Sequence, residues 1–326
     1  MTRQPLAPVV LLERDTVTAL LDLDTCIAAV ENAFAAHTNG LAFKTGLLHV
    51  DVDDGEFHIK AGGLRGERPY FACKINGSFF QNRARYGLPN INGVILLSDA
   101  HTGLPLAILE SSWITRARTA AATAVAAKYL ARRDSRTVTT CGAGAQAEIQ
   151  LRALARMFKL EKIFVWSRGT PAPFAERMSR ELSMEVEATG DLRTACRNSE
   201  IIVTCTASTH WFLALEHISP GAFIAAVGAD TPTKQELDPR LVAAASVVCD
   251  LADQCAHVGE LHHALDAGLM TADQIRGELG DVIVGKALAR RSDDEIIVFD
   301  STGTALQDVA TAIAVYERHQ ATAKSA

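Results

Sequence analysis

Two glycines set among small residues give the chain its most suggestive chemistry. The segment RTVTTCGAGAQAEIQLRAL carries Gly142-Ala143-Gly144-Ala145-Gln146-Ala147, a G-x-G-x-x-A pattern. In a dinucleotide fingerprint the first Gly makes the turn and the second lets the backbone approach a pyrophosphate. The third small residue, here Ala147, lets the helix pack on the strand. The free N–H groups of the helix start then face the anion. A tight strand-to-helix turn with no ligand uses the same glycines, so the surrounding elements must decide.

Four other groups bear chemistry. Lys74, in ACKING, ends an apolar run. It is either a cation for a substrate carboxylate or an edge-strand lysine reaching water. Arg118-Thr119 precedes the small-residue run AAATAV, and at a helix entrance the pair suits a phosphate or carboxylate, or else forms a solvated first turn. Asp230 closes AFIAAVGAD, at the carboxyl end of an expected parallel strand, where α/β sheets place ligands. It can exchange a proton or cap the loop. Lys234, four residues on, can hold a cofactor or pair with Asp230. The segment HVGELHH invites a metal reading through His257, Glu260, His262 and His263. Its spacing is not H-E-x-x-H, and histidines five apart diverge on a helix, so no metal site is expected.

The elements needed to position these groups follow from periodicity. VTALLDLDTCIAAVENAFAAHTNG repeats apolar residues at Leu20, Leu23, Ile27, Val30 and Phe34, which predicts one helix ended by Asn39-Gly40. TGLLHV, EFHIKAG, YFACKI and GVILLSD are short runs punctuated by Gly, Pro and Asn, which predicts an antiparallel sheet. VILLSDAHTGLPLAIL reads as a hairpin. From about Ser111 the texture changes to an Ala-rich helix followed by alternating strands and helices. These are TVTTC, a helix over 145–158, KIFVWS, a helix near 172–182, EIIVTCTA, AFIAAVG, SVVCD and EIIVFDS. Unalternated apolar strands in a βαβ rhythm predict a doubly wound parallel sheet. Asp238-Pro239 reads as an N-cap with proline in the first turn. The last helix, with Leu306, Val309, Ile313 and Tyr316 on one stripe, is expected to return to the first domain. The glycine turn thus follows a strand and opens a helix, the context that a dinucleotide site requires.

Composition narrows the class further. A chain of 326 residues has room for two domains, and 48% apolar with 21% charged residues is the balance of a globular protein. A net charge of −6 gives no basic field for nucleic acid or a membrane surface. No apolar run reaches the ~20 residues of a membrane span, and MTRQPLAPVV lacks the apolar centre of a leader. The seven cysteines are scattered without a C-x-x-C pair, as in a reducing cytoplasm. KIFVWS ends at Trp166-Ser167-Arg168-Gly169-Thr170 with no acid to receive the ribose hydroxyls. Ser167 and Arg168 suit a 2′-phosphate, so NADP(H) is expected to be preferred and NAD(H) accepted. The apolar strands between Thr45 and Leu109 are too many for one small open sheet to cover, which predicts a homodimer.

Taken together, ACKINGSFFQNRARYGLP, ITRARTAAATAVAAKYL, CGAGAQ, AVGADTPTKQELDP and IIVFDSTGTALQDVA resemble the ornithine cyclodeaminase/μ-crystallin family over nearly the whole chain. The resemblance implies an α/β protein in which a Rossmann-type doubly wound sheet, residues 118–304, is joined to a smaller α+β substrate-binding and dimerisation domain, residues 1–117 and 305–326. It implies chemistry on α-amino or α-imino acids. Lys74 resembles the family's substrate-carboxylate lysine and Lys44 its basic partner. Arg118 resembles the arginine between cofactor and substrate. Asn90, Thr119, Gly142, Gly144, Ala145, Gln146, Thr206, Val227 and Gly228 are implied cofactor contacts, with Lys234 on the cofactor side. Asp230 resembles the acid/base aspartate. Ser301-Thr302-Gly303 resembles the loop over the nicotinamide. One position departs: where cyclodeaminases carry a glutamate, GEFHIKAGG places His58, with Glu56 two residues along the same strand face. A histidine is not a fixed anion, which argues against ornithine cyclodeamination. The leading expectation is an NAD(P)H-dependent reductase of small α-imino acids, or the reverse amino-acid dehydrogenase. The alternatives are a cyclodeaminase-type lyase recycling NAD+ and a non-catalytic cofactor-binding protein.

Overall fold

A computed structural model describes residues 8–325. Residues 1–7 and 326, included in the domain reading above, lie outside the described residues, as does most of the segment scanned for a leader. The chain divides into two compact units, one formed by the chain up to Arg118 and from Thr304 onward, the other by Thr119–Gly303.

The first unit is built on a six-stranded sheet, with β1 (Val10–Leu12), β2 (Gly46–Val52), β3 (Gly55–Leu64), β4 (Tyr70–Ser78), β5 (Ile91–Asp99) and β6 (Pro105–Glu110) in the order β1-β6-β5-β4-β3-β2. All neighbours are antiparallel except β1 and β6. The β5–β6 hairpin turns where Asp99 accepts the His101 and Thr102 N–H groups, both at 3.0 Å. The predicted N-terminal helix is two helices, α1 (Arg14–Leu20) and α2 (Leu23–Thr38). The break arises because the Asp22 side chain accepts the Thr25 N–H at 2.7 Å, so Asp22 caps a new helix instead of continuing the old one. A short α3 (Asn82–Tyr86) and the start of α4 (Ser111–Leu130) complete this stretch. The last helix, α12 (Ala305–Ser325), packs on α2, β3 and β4 in the same unit, burying Leu306, Val309 and Tyr316.

The alternation is inverted over part of this sheet, on β3 and β4. On β3 and β4 the buried face carries His58, Lys60, Lys74, Asn76 and Ser78, while the exposed face carries apolar residues. Register places exposed Ile75 opposite Val94 on one side and Ile59 on the other, with Ile59 opposite exposed Leu48. A sheet normally solvates its polar face. Here the polar side chains of β3 and β4 are enclosed beside the buried Ile95 and Leu97 of β5, and apolar residues are bare on the other face.

The second unit holds an eight-stranded parallel sheet. Its first half is β7 (Thr137–Cys141), α5 (Ala145–Met157), β8 (Lys162–Trp166), α6 (Ala172–Leu182), β9 (Glu185–Ala188), α7 (Leu192–Arg197) and β10 (Ile201–Thr204). Its second half runs through β12 (Phe223–Ala226), α8 (Pro239–Ala244), β14 (Ser246–Cys249), α9 (Ala252–Val258), α10 (Glu260–Asp266), β15 (Gly277–Glu278), α11 (Leu279–Ile283) and β16 (Ile297–Asp300). A separate pair, β11 (Thr209–Leu213) and β13 (Gln235–Leu237), is also parallel. The sheet order is β15-β14-β16-β12-β10-β7-β8-β9. Strands β10, β12 and β16 are buried at every residue, as the lack of alternation in their sequences requires. The chain runs outward from β7 through β8 to β9, then resumes at β10 on the other side of β7. The carboxyl ends of β7 and β10 are therefore the topological switch point, where open α/β sheets bind ligands.

Candidate active site

In the first unit, the buried sheet face gathers cations around one acid. Lys74 stands in the middle of β4, hydrogen-bonded to strands on both sides and 2% exposed. The sequence suggested a strand end because the apolar residues stop at Ile75. The strand instead continues through Asn76 and Ser78, whose side chains are polar but buried. The alternative of an edge lysine reaching water is therefore excluded. Lys74 Nζ donates to Asp308 Oδ1 at 2.7 Å, and Thr115 Oγ1 lies at 3.5 Å. Arg118 Nε lies 3.2 Å from the same Asp308 oxygen, and its Nη1 donates to Gln307 Oε1 at 2.7 Å. Lys60, opposite Lys74 on β3, is 6% exposed. Burial pushes Lys74 down to about 7; Asp308 opposes the descent, while Arg118 and Lys60 add to it. Burial alone would raise Asp308, but the charges of Lys74 and Arg118 outweigh it and hold the carboxyl below its ordinary range.

Two buried cations thus share one carboxylate. Arg118 Nε, Asp308 Oδ2 and Gln307 Nε2 are buried without hydrogen-bond partners. Native interiors rarely leave such atoms orphaned, and an excess buried cation is costly unless an anion joins it. The donor set fits one small anion. Asn76 supports the cluster: it accepts from Ser111 Oγ at 2.6 Å and donates to Thr115 Oγ1 at 3.2 Å, fixing the first turns of α4.

Arg118 and Thr119 do not stand at a helix entrance, as the sequence reading had them. Helix α4 begins at Ser111, directly after β6, so both residues occupy its interior and their N–H groups are used by the helix. The Arg118 guanidinium, not the helix terminus, supplies the positive charge.

In the second unit, the Gly142–Gly144 turn leaves β7 and Gly144 caps α5. Gly142 adopts φ +128°, and a Cβ there would lie 2.9 Å from Cys205 Sγ, so only glycine fits. A Cβ on Gly144 would meet nothing within 4 Å, which marks the open side of the cradle. The turn lines a cleft of about 320 Å³ with Trp166, Ser167, Arg168 and the loop Cys205–Ser208. That cleft lies at the switch point. Gln146 Oε1, in the first turn of α5, is buried and unpartnered. Bare backbone at a helix start, open space over Gly144 and the missing acid after β8 fit a dinucleotide. Arg168 Nη2 donates to Ser208 Oγ at 2.8 Å, which holds the guanidinium on the cleft wall.

Four buried carboxylates brace the loops of this unit. Glu236 accepts the Thr206 N–H at 2.6 Å, the Thr206 hydroxyl at 2.7 Å and the Gly228 N–H at 3.0 Å. A Cβ on Gly228 would lie 2.4 Å from the Glu236 carboxyl, so the glycine permits this approach. Glu260 accepts the N–H groups of Glu236 and Leu237 at 2.7 and 3.1 Å. Burial raises both glutamates, and the charge of Glu236 raises Glu260 further. Asp250 accepts from Gly303 N–H at 2.8 Å and the Thr302 hydroxyl at 3.0 Å, with Ser301 Oγ at 3.3 Å. Asp300, which accepts the Leu261 N–H at 2.8 Å, is pushed up by burial to about 7. Asp230 pairs with Lys234 at 2.6 Å and is partly exposed in the loop after β12, near Val227.

Lys74, Arg118 and His58 share the buried side of the first unit, and Gly142, Gly144, Ser167, Arg168 and Thr206 line the cleft of the second, with Ala145 and Gln146 following in the first turn of α5. Other expected residues stand apart from these groups. Lys44 is exposed in the loop before β2. Asn90 structures its own turn, accepting the Arg83 N–H at 3.1 Å. In HVGELHH, His257 bonds the Asp253 carbonyl, His263 bonds the Lys234 carbonyl and Glu260 is committed to β13, so the three do not converge. Sequence reading missed Lys60, Gln307, Asp308, Glu236, Asp250 and Asp300, and weighed Glu260 only as a metal ligand, not as the acceptor of the β13 N–H groups. A signal existed for some: Lys60 alternates with His58 on β3, and Asp308 interrupts the apolar stripe between Leu306 and Val309.

A parallel sheet with a glycine turn at its switch point, joined to a second unit with buried cations, defines a two-unit α/β protein of Rossmann type. The chain belongs to the ornithine cyclodeaminase/mu-crystallin family, whose model matches residues 8–323. It is 35% identical over 309 residues to an iminosuccinate reductase of Paracoccus denitrificans, covering 92% of this chain and 93% of that one. A Thermococcus litoralis Δ1-pyrroline-2-carboxylate reductase in complex with NADH and L-proline superposes with TM-score 0.91 at 30% identity, over 97% and 98% of the chains. An archaeal alanine dehydrogenase dimer with bound NAD gives TM-score 0.90 at 32% identity, over 96% and 97%.

Proposed function

We propose that this chain is an NAD(P)H-dependent reductase of small α-imino acids, such as Δ1-pyrroline-2-carboxylate, or the reverse amino-acid dehydrogenase. The observation that carries the reading is the buried pair Lys74 and Arg118 sharing the single carboxylate of Asp308. A substrate carboxylate completes that charge balance and finds donors already oriented. Lys60 adds positive potential, and His58 extends the same face toward the rest of the substrate. Lys44 is assigned a lesser share, because it is exposed.

The Gly142–Gly144 turn, Ala145, Gln146 and Thr206 would hold the dinucleotide, with Val227, Gly228, Lys234, Asn90 and Thr119 as further contacts. When bound, the nicotinamide supplies hydride to the imine carbon or takes it from the amino acid. The chain's own part is binding, orientation and proton handling. Lys74 and Arg118 fix the carboxylate and so the orientation of the adjacent C=N bond. Asp230 moves the proton at the substrate nitrogen, directly or through water, and Lys234 Nζ, 2.6 Å away, orients its carboxylate. Glu236 and Asp250 hold Thr206, Gly228 and the Ser301-Thr302-Gly303 loop in place, so these contacts need little reorganisation.

NADP(H) is the preferred cofactor in this reading, with NAD(H) accepted. The support is the acid-free end of β8 and the Arg168 guanidinium held on the cleft wall. A homodimer is supported by the bare apolar sheet face, which a second copy would cover. Seven free thiols fit a reducing cytoplasm. Among the described residues no helix is long and apolar enough to cross a membrane.

The test is a panel of small α-imino acids, cyclic and acyclic, with NADPH and NADH. Stoichiometric loss of reduced-cofactor absorbance, roughly ten- to a hundredfold faster per substrate with NADPH, is expected, since a charge-assisted pair is worth ~1.5–3 kcal/mol. Catalytic cofactor use with ammonia release, or bound-cofactor fluorescence without turnover, overturns the reductase reading. Equal efficiency with the two cofactors, or an Arg168→Ala enzyme with undiminished NADPH preference, overturns the 2′-phosphate assignment.

A further inference from the structure

The β2–β3 hairpin carries a compact ligand set that hydride transfer does not explain. His49 stands directly opposite His58, and Asp51 opposite Glu56. Side chains alternate along strands, so all four project from one sheet face. The two imidazoles meet edge to face with centroids 4.6 Å apart. His49 Nε2 lies 3.0 Å from Asp51 Oδ1 and 3.4 Å from Glu56 Oε2, and His58 Nε2 lies 3.0 Å from Glu56 Oε1. The ligand atoms of His49, Glu56 and His58 all fall within 4.8 Å of one another.

A tetrahedral ion with bonds of about 2.0–2.2 Å sets its ligand atoms roughly 3.4 Å apart. The observed separations bracket that figure, so small side-chain rotations would seat an ion. A second observation points the same way. Glu56 Oε1 is buried and makes no hydrogen bond, although the His58 nitrogen lies 3.0 Å away. The pair is close but not aligned as donor and acceptor, whereas two lone pairs converging on a shared cation need no such alignment. Two imidazole nitrogens with carboxylate oxygens make a borderline ligand set, which favours Zn2+, Co2+ or Ni2+ over Mg2+ and Ca2+.

We propose that the hairpin binds one divalent transition-metal ion through His49, Glu56 and His58, with Asp51 as the fourth ligand. Because β2 is the outermost strand of its sheet, such an ion ties the sheet edge to β3.

The test uses the full chain without an affinity tag, stripped with a chelator and titrated with Co2+. One ion per chain with tetrahedral ligand-field absorption is expected, displaced by Zn2+ and unaffected by a large excess of Mg2+. His49→Gln and Glu56→Gln should each weaken binding at least tenfold, with an unchanged circular-dichroism spectrum. Zn2+ should slow amide exchange in β2 and β3 of the wild type but not of either variant. The absence of a saturable site, or affinity unchanged in both variants, overturns the proposal. If one variant misfolds, the other decides.

Discussion

Replacing Lys74 by methionine should remove turnover without destabilising the fold, because the lysine is a cost to the empty protein. Burial lowers Lys74 from 10.5 to about 7 even with Asp308 at 2.7 Å. At about 1.36 kcal/mol per pH unit, that descent is a penalty on the order of 5 kcal/mol on the charged form, and it already contains the attraction of Asp308. Methionine fills similar volume, and Asp308 keeps Arg118 at 3.2 Å. The variant should therefore be more stable than wild type by a few kcal/mol below pH 7. The sign of the pH dependence follows from linkage. Below about 7 both folded and unfolded lysine hold the proton, and the folded state bears the full penalty. Between about 7 and 10.5 only the unfolded state still binds it, so wild-type stability rises with pH and the advantage of the variant fades. In catalysis, loss of the cation that meets the substrate carboxylate should lower kcat/KM by roughly two to four decades, from ~3–5 kcal/mol for one partner of a buried pair. Calorimetric Tm at pH 6 and pH 9, NADPH affinity by titration and steady-state kinetics on the preferred imine measure all three. Near-normal kinetics would refute the carboxylate assignment. A Tm loss that is the same at both pH values would refute the electrostatic reasoning.

Other consequences follow from the same residues. Asp230→Asn should keep the fold and cofactor affinity but lose ~10²–10⁴-fold in kcat, since the amide pairs with Lys234 yet exchanges no proton; wild-type kcat across the pH range would make Asp230 structural. Ornithine should release ammonia poorly, because the family resemblance aligns His58 with the glutamate of the cyclodeaminases; efficient proline formation with catalytic NAD+ contradicts this. Wild type should scatter light as a dimer at micromolar concentration. Ile75→Asp, in the middle of the bare sheet face, should shift it to monomer; an unchanged mass in the variant, or a monomeric wild type, removes that face as the interface.

Local chemistry makes part of this protein legible without coordinates. The βαβ rhythm from Thr137 onward follows from strands that lack alternation and helices whose apolar residues recur at three and four, and the helix over Ala172–Leu182 falls where its apolar spacing places it. Gly142 could be read because a strand-to-helix turn with positive φ selects glycine whatever the rest of the chain does. Asp238 could be read because capping is a contact between near neighbours in sequence, the Arg240 N–H at 2.9 Å. Longer-range facts could not be read in this way. Lys74 and Asp308 are 234 positions apart, and only the return of α12 onto β4 makes one the partner of the other. The inverted sheet illustrates the same limit. Alternation along β3 and β4 shows that two faces exist, but not which is enclosed, and the usual rule assigns them the wrong way round. Glu236, Asp250 and Asp300 read as ordinary loop and strand-end acids, and Glu260 as part of a histidine-rich segment, because sequence does not record that burial leaves them backbone N–H groups, hydroxyls and, for Asp250, the Cys255 thiol as partners. Sequence fixes what each residue can do within a few positions of itself; the choice of distant partners, and with it the charge state of every buried group, belongs to the tertiary fold.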